Sequence, residues 1–239
     1  MKRALVTGGS GAIGAAICRR LANDGVHVVV HANQRPQQAE IVAQSIRDAG
    51  GSAAVTTFDI ADAPASAMAI GNLLVSAPIQ ILVHGAGIHM DAPMAGMSAE
   101  KWRRVIDVSL NGFYNVAQPL LLPMIGTRWG RIVAISSVSA IMGNRGQTNY
   151  AAAKAGLIGA ARSLALECAS RGVTVNVVAP GIIDTPATAA VFDRARIEAL
   201  VPMRRAGRPE EVAELVAFLA SDRADYLTGQ TISINGGMA

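Results

Sequence analysis

Short, continuous apolar runs recur along this chain, and most close on glycine or another small residue. They occupy 4–9, 26–32, 53–60, 79–87, 131–137, 172–180 and 230–236. Between them lie segments with helical spacing at 14–24, 36–49, 64–76, 98–122, 148–169 and 209–220. A strand that alternates apolar and polar residues has one wet face, whereas one that is apolar throughout is buried on both. The seven runs therefore predict an α/β chain: a single-domain doubly wound Rossmann fold, seven parallel strands with helices on both faces. Right-handed crossovers in such a sheet leave ligands beyond the carboxyl ends of the strands. The residues that matter for function should lie where strands end.

No repeat or linker interrupts the pattern, so residues 1–239 are expected to form one catalytic domain. With 51% hydrophobic and 16% charged residues, the chain is far from a disordered composition. No apolar run approaches the roughly 20 residues that span a bilayer, and the opening segment is too short for a secretory core. Cys18 and Cys168 lie in apolar, helix-like stretches and read as buried free thiols, which points to the cytoplasm. The net charge is +4 without a block of five like charges, and aromatics are 4%, which disfavours nucleic acid. It suits an acidic or phosphorylated partner. Nothing in the residue pattern calls for a metal.

The first strand ends in Thr7-Gly8-Gly9-Ser10-Gly11-Ala12-Ile13-Gly14, and a helix follows. Glycines there allow a tight turn and close approach of a pyrophosphate, and the helix N-terminus supplies free N–H groups. Alone, such a run could be a plain turn; between the first strand and first helix of an alternating chain it indicates a dinucleotide. At the second strand end an acid would bind a ribose 2′-hydroxyl. This chain has Asn33-Gln34-Arg35 and no carboxylate. An arginine suits a 2′-phosphate, so NADPH is expected over NADH. Asp59, closing the third strand, could accept from an adenine amino group or cap the helix at 64–76.

The fifth strand ends at Ser136-Ser137, Tyr150 opens a helix, and Lys154 lies one turn further along the same face. Reduction of a ketone needs a hydride from a nicotinamide, a proton for the developing alkoxide, and donors to hold it. Tyr150 can give the proton, Lys154 is expected to lower the phenol pKa, and Ser137 can hold the carbonyl oxygen. Of 21 basic residues only Lys2, Lys101 and Lys154 are lysines, which singles out Lys154.

These features together resemble the short-chain dehydrogenase/reductase family, and within it the 3-oxoacyl-acyl-carrier-protein reductases. The resemblance spans the chain and is carried by TGGSGAIG at 7–14, Ser137 with Tyr150-Ala-Ala-Ala-Lys154, NVVAPGIIDT at 176–185 and LTGQTISINGGM at 227–238. It implies NADPH-dependent reduction of a 3-oxoacyl thioester in fatty-acid, polyene or polyketide type synthesis. Another alcohol or ketone substrate, and a cofactor-binding scaffold without catalysis, stay open as alternatives. It also implies a homotetramer, with cofactor contacts from Gly8, Ser10, Gly11, Ala12, Ile13, Gly14, Asp59, Ile60, Ala86, Gly87, Tyr150, Lys154, Pro180, Gly181 and Ile183. Residues 184–206 match the substrate lid, and Arg128 and Arg171 match positions that dock an acidic acyl carrier protein near the site entrance.

The chain departs from the family in several places. Ala12 stands for a glycine, which is expected to cost some backbone freedom, and Gly11 for an arginine that helps bind the 2′-phosphate. NADPH recognition then falls to Asn33 and Arg35. His84-Gly85-Ala86-Gly87 replaces Asn-Asn-Ala-Gly, and Ser109 replaces an asparagine that holds a water in a proton relay to the lysine. A working but slower relay is expected.

Overall fold

The computed structural model describes all 239 residues, Met1–Ala239. The seven expected strands form: β1 (Arg3–Thr7), β2 (His27–Ala32), β3 (Ala53–Thr57), β4 (Ile81–His84), β5 (Gly130–Ile135), β6 (Val173–Pro180) and β7 (Thr231–Ile234). Each pairs parallel with its neighbours in one sheet of order β3-β2-β1-β4-β5-β6-β7. The order reverses between β1 and β4, which places the ligand crevice at the ends of those two strands.

The helices are α1 (Ala12–Asn23), α2 (Pro36–Asp48), α3 (Ala63–Ser76), α4 (Ala99–Ile106), α5 (Gly112–Thr127), α6 (Ser139–Met142), α7 (Thr148–Cys168), α8 (Pro186–Ala189), α9 (Arg194–Leu200) and α10 (Pro209–Leu219). Alternate strand residues face opposite layers. Val6, Val28, Val30 and Val83 pack with α1, α2 and α10, while Leu5, Val29, Leu82 and Ile132 pack with α3, α5 and α7. The two layers bury 29 and 23 residues, so the sheet is dry on both sides, as apolar runs without alternation require. Both cysteines are buried and free. No helix is long and apolar enough to cross a membrane.

One element departs from expectation. The segment read as a single helix over 98–122 is α4 and α5 joined by a π-helical turn, Asp107–Asn111. Ser98 caps α4 by accepting the Lys101 N–H, as a helix start demands. The π turn inserts extra backbone that apolar periodicity does not register, and such turns concentrate at functional sites. Ser109 sits inside it, fully buried.

Candidate active site

The glycine loop follows β1. Gly8 has φ +70°, and a Cβ there would stand 2.9 Å from the Gly85 carbonyl oxygen. A Cβ on Gly14 would fall 2.2 Å from the Gly8 oxygen, so only glycine lets α1 start so close to β1. At Gly11 the nearest atom would be 3.4 Å away, so a side chain could stand there. Ala12 is the first residue of α1 in ordinary helical backbone, so its methyl group carries none of the expected cost. Gly11 caps α1 without a side-chain bond and the first turn holds no acid. Its free N–H groups and partial positive charge remain available to an anion. Ser10 and Gly14 are buried, and Ile13 is half-buried.

Asn33 and Arg35 are exposed just past β2, and Arg35 immediately precedes α2. Asp59 does not cap the third helix; Asp62 does, accepting from the Ala65 N–H. Asp59 instead accepts from the Ala61 N–H at 2.9 Å and from Arg104 Nη2 at 2.9 Å. Burial pushes its carboxyl up, but the bonds from Ala61, Arg104 and Asn33 outweigh this and hold it below the usual range. Ile60 is buried beside it, with its carbonyl accepting from Asn115.

On the other side of the crevice, Ser136 Oγ donates to the Lys154 carbonyl at 2.8 Å and fastens α7 to the end of β5. Asn149 accepts the Tyr150 N–H at 2.8 Å and donates to the Met90 and Lys101 carbonyls, fixing the helix start. Tyr150 and Lys154 are thereby buried, with the Ser137 hydroxyl close enough to Tyr150 to oppose the rise of its phenol pKa; Ser137 Oγ itself accepts the Ser139 N–H at 3.1 Å. Lys154 Nζ donates to the Ile135 carbonyl at 2.8 Å. An ideal Cβ on Gly87 would stand 3.1 Å from Lys154 Nζ and 3.5 Å from Ser109 Oγ. The bare glycine therefore leaves a cradle next to the ammonium. Ser109 Oγ is buried without a partner, a group that costs stability unless a ligand or water meets it. Ala86 is buried one residue before this cradle.

The electrostatics correct one expectation. Burial pushes the Tyr150 phenol up to about 12, with Asp91 adding and the Ser137 bond opposing. Burial pushes the Lys154 ammonium down to about 8. The ammonium is 5.8 Å from the phenol ring centre and bonded to a carbonyl, so desolvation decides the phenol, not the lysine.

Residues 176–185 close the crevice. Pro180 ends β6, a Cβ on Gly181 would lie 2.7 Å from Asn235 Cα, and buried Ile183 bridges to Gly207. The segment 184–206 folds as α8 and α9, largely exposed above the strand ends.

Arg128 and Arg171 are placed otherwise than expected. Each precedes a strand, β5 or β6, and Arg128 Nη2 donates to the Ser170 carbonyl. All strands run toward the crevice, so both arginines lie at its far end, about 20 Å from Ser137 at some 3.3 Å per residue. Within one protomer they are not at the site entrance.

Three histidines stand at the site without any spacing signal to find them. His89 stacks on the Tyr150 ring with centres 4.1 Å apart, within reach of Gln147 and Asp91. His31 and His84 are buried at the ends of β2 and β4. Arg104, on α4, likewise gave no sign of meeting Asp59.

Comparison with known proteins agrees with this geometry. A family model described as "Enoyl-(Acyl carrier protein) reductase" matches residues 8–239. The chain is 44% identical over 236 residues to the 3-oxoacyl-(acyl-carrier-protein) reductase FabG of Aggregatibacter actinomycetemcomitans, covering 98% of each chain. It is 45% identical to the protein of that name from Escherichia coli K12, covering 99% of this chain and 97% of the relative. The chain belongs to the short-chain dehydrogenase/reductase family. As a member of this oxidoreductase family it takes a nicotinamide dinucleotide cofactor. Nodulation protein G of Azospirillum brasilense is 42% identical over 242 residues, covering 99% and 98%. A solved structure of a putative gluconate dehydrogenase from Agrobacterium tumefaciens superposes with TM-score 0.96 at 30% identity, covering 99% of this chain and 95% of the other.

Proposed function

We propose that this short-chain dehydrogenase/reductase reduces a 3-oxoacyl thioester, presented by an acyl carrier protein, with NADPH. The observation that carries the reading is buried Tyr150 with Ser137 beside it and buried Lys154 one turn along α7, next to the Gly87 cradle. The cradle, the unpartnered Ser109 Oγ and the bare first turn of α1 fit a dinucleotide laid across the crevice. A bound nicotinamide would supply the hydride. Ser137 Oγ would hold the substrate carbonyl oxygen, and Tyr150 would give its proton to that oxygen as charge develops. Lys154 Nζ, with one N–H on the Ile135 carbonyl, keeps two for a ribose hydroxyl and for a water shared with Ser109 Oγ. A phenol pushed up to about 12 stays protonated at neutral pH, which suits a proton donor in the reductive direction.

Arg35 and Asn33 and the lack of an acid after β2 support NADPH. The FabG-named relatives support the thioester substrate. The net charge of +4 suits an acidic carrier. Docking on Arg128 and Arg171 requires them to come from a second copy. Exposed Tyr114 and Leu122 on α5 and Leu166 on α7 offer apolar faces for such a copy, in line with a homotetramer. In this reading residues 1–239 work as one domain in the cytoplasm, with 184–206 as the lid. Oxidation of a sugar-acid or other alcohol is the second reading, favoured by the likeness to the putative gluconate dehydrogenase.

The test is the initial rate of NADPH and of NADH oxidation with acetoacetyl-CoA, then with a 3-oxoacyl carrier protein. NADPH turnover that Tyr150→Phe abolishes supports the proposal. Activity only with gluconate or another alcohol selects the second reading. A phenotype that survives Tyr150→Phe would mean a non-catalytic scaffold.

A further inference from the structure

Two buried histidines flank the end of β1, and neither enters the proton path described above. His31 is the last residue but one of β2 and His84 closes β4, the strands on either side of β1. His31 Nδ1 accepts from the Gly8 N–H at 3.3 Å, and its Nε2 meets the Phe58 carbonyl at 3.0 Å. His84 Nδ1 meets Thr7 Oγ1 at 3.3 Å, and its Nε2 meets the Ser109 carbonyl at 3.1 Å.

The partners dictate the protonation. A carbonyl only accepts, so Nε2 carries the proton in both rings. The Gly8 N–H only donates, so His31 Nδ1 is bare. Thr7 Oγ1 already accepts from the Gly85 and Ala86 N–H groups at 3.2 Å each, which leaves its own proton for His84 Nδ1. Both imidazoles are thus neutral and share a tautomer. Phe58 packs on His31 and Phe113 packs edge-on against His84, which keeps the rings from turning.

We propose that His31 and His84 are positioning residues that set the two halves of the cofactor crevice separately. His31 Nδ1 holds the Gly8 N–H of the glycine loop on the adenosine side, and the Phe58 carbonyl on Nε2 fixes the tautomer that lets Nδ1 accept. His84 Nε2 holds the Ser109 carbonyl of the π turn and so sets Ser109 Oγ beside Lys154, with Thr7 on Nδ1 fixing the tautomer. One hydrogen bond, from His84 to the Ser109 backbone carbonyl, therefore holds the π turn to the end of β4. An asparagine at 84 could reach Thr7 but not the Ser109 carbonyl, because its amide overlays Nδ1 and stops short of Nε2. The inference rests on reading the crevice as the dinucleotide site.

The test exploits that difference in reach. A glutamine amide overlays Nε2 and an asparagine amide overlays Nδ1, so each variant keeps one of the two bonds. At 84 the decisive partner is the Ser109 carbonyl. His84→Asn should lower kcat about tenfold, the scale of one lost internal hydrogen bond, with NADPH Kd within twofold, and His84→Gln should recover most of the rate. At 31 the decisive partner is the Gly8 N–H. His31→Gln should raise NADPH Kd about tenfold with kcat at saturating cofactor unchanged, and His31→Asn should bind normally. Losses of kcat and affinity that move together and track the melting temperature, with no crossed pattern, overturn the proposal. Nitrogen NMR of the histidine rings in the unmodified protein gives a second measurement that needs no variant to fold. Two neutral rings protonated at Nε2 are expected at pH 7; a charged ring or an Nδ1–H form overturns it. If the unmodified protein binds neither NADPH nor NADH, the functional reading itself fails, an outcome distinct from normal binding without the crossed pattern.

Discussion

Lys154 is held in its neutral-leaning environment at the expense of the fold. Its side chain is buried, and burial takes its pKa from 10.5 down to about 8. At about 1.4 kcal/mol for each tenfold, a charged Lys154 costs the folded chain about 3 kcal/mol below pH 8. Replacing it with methionine removes that cost but strands the Ile135 carbonyl, which gives back about 1 kcal/mol. Lys154→Met should therefore be inactive yet more stable than the parent by about 2 kcal/mol at pH 7. The sign of the pH dependence follows from the same shift. Between pH 8 and 10.5 the unfolded chain binds a proton that the folded chain lacks, so the parent gains stability as pH rises. The variant's advantage should thus shrink over that range. Above pH 10 the neutral Tyr150 acts oppositely, but equally in both proteins. The assay is urea unfolding of both at one fixed protein concentration from pH 6.5 to 10, since assembly shifts apparent stability. A stability difference that is constant across this range, or a variant less stable than the parent at pH 7, refutes the reasoning.

Gly14→Ala should abolish cofactor binding, because its Cβ would overlap the Gly8 carbonyl oxygen; fluorescence titration with NADPH reads this, and Gly11→Ala, which has room, should bind normally. Ser109→Asn should raise turnover by lengthening the reach of the proton relay, and an unchanged or lower kcat would discard the idea of a slowed relay. Arg104→Ala removes a donor from Asp59, so its carboxyl should titrate nearer the ordinary value, which carbon NMR of the aspartate side chain can follow. His89→Ala uncovers one face of the Tyr150 ring and should lower its phenol pKa by readmitting water; ultraviolet titration of the phenolate above pH 10 measures the change.

Much of this protein was legible in the order of its residues. Short apolar runs that close on small residues and alternate with helical segments indicate strands covered on both faces, so the doubly wound sheet and the crevice at its carboxyl end followed from the pattern along the chain. The glycine loop was legible because close backbone approach admits no side chain, and Tyr150 with Lys154 because a spacing of four is a local property of a helix. What lies between elements was not. The π turn at Asp107–Asn111 carries no compositional mark, and only the contact of His84 with the Ser109 carbonyl reveals what it holds. Asp59 looked equally like a helix cap until Arg104 met it from another helix. The Tyr150 phenol was expected to fall under the pull of Lys154, and only tertiary burial decides that it rises. Arg128 and Arg171 lie at the far end of the sheet because they precede their strands, and only a second copy could bring them to a site. Local spacing determines which residues share a face or a turn. Desolvation, and the partner each buried polar group finds, depend on chain segments distant in sequence, and the folded arrangement alone decides them.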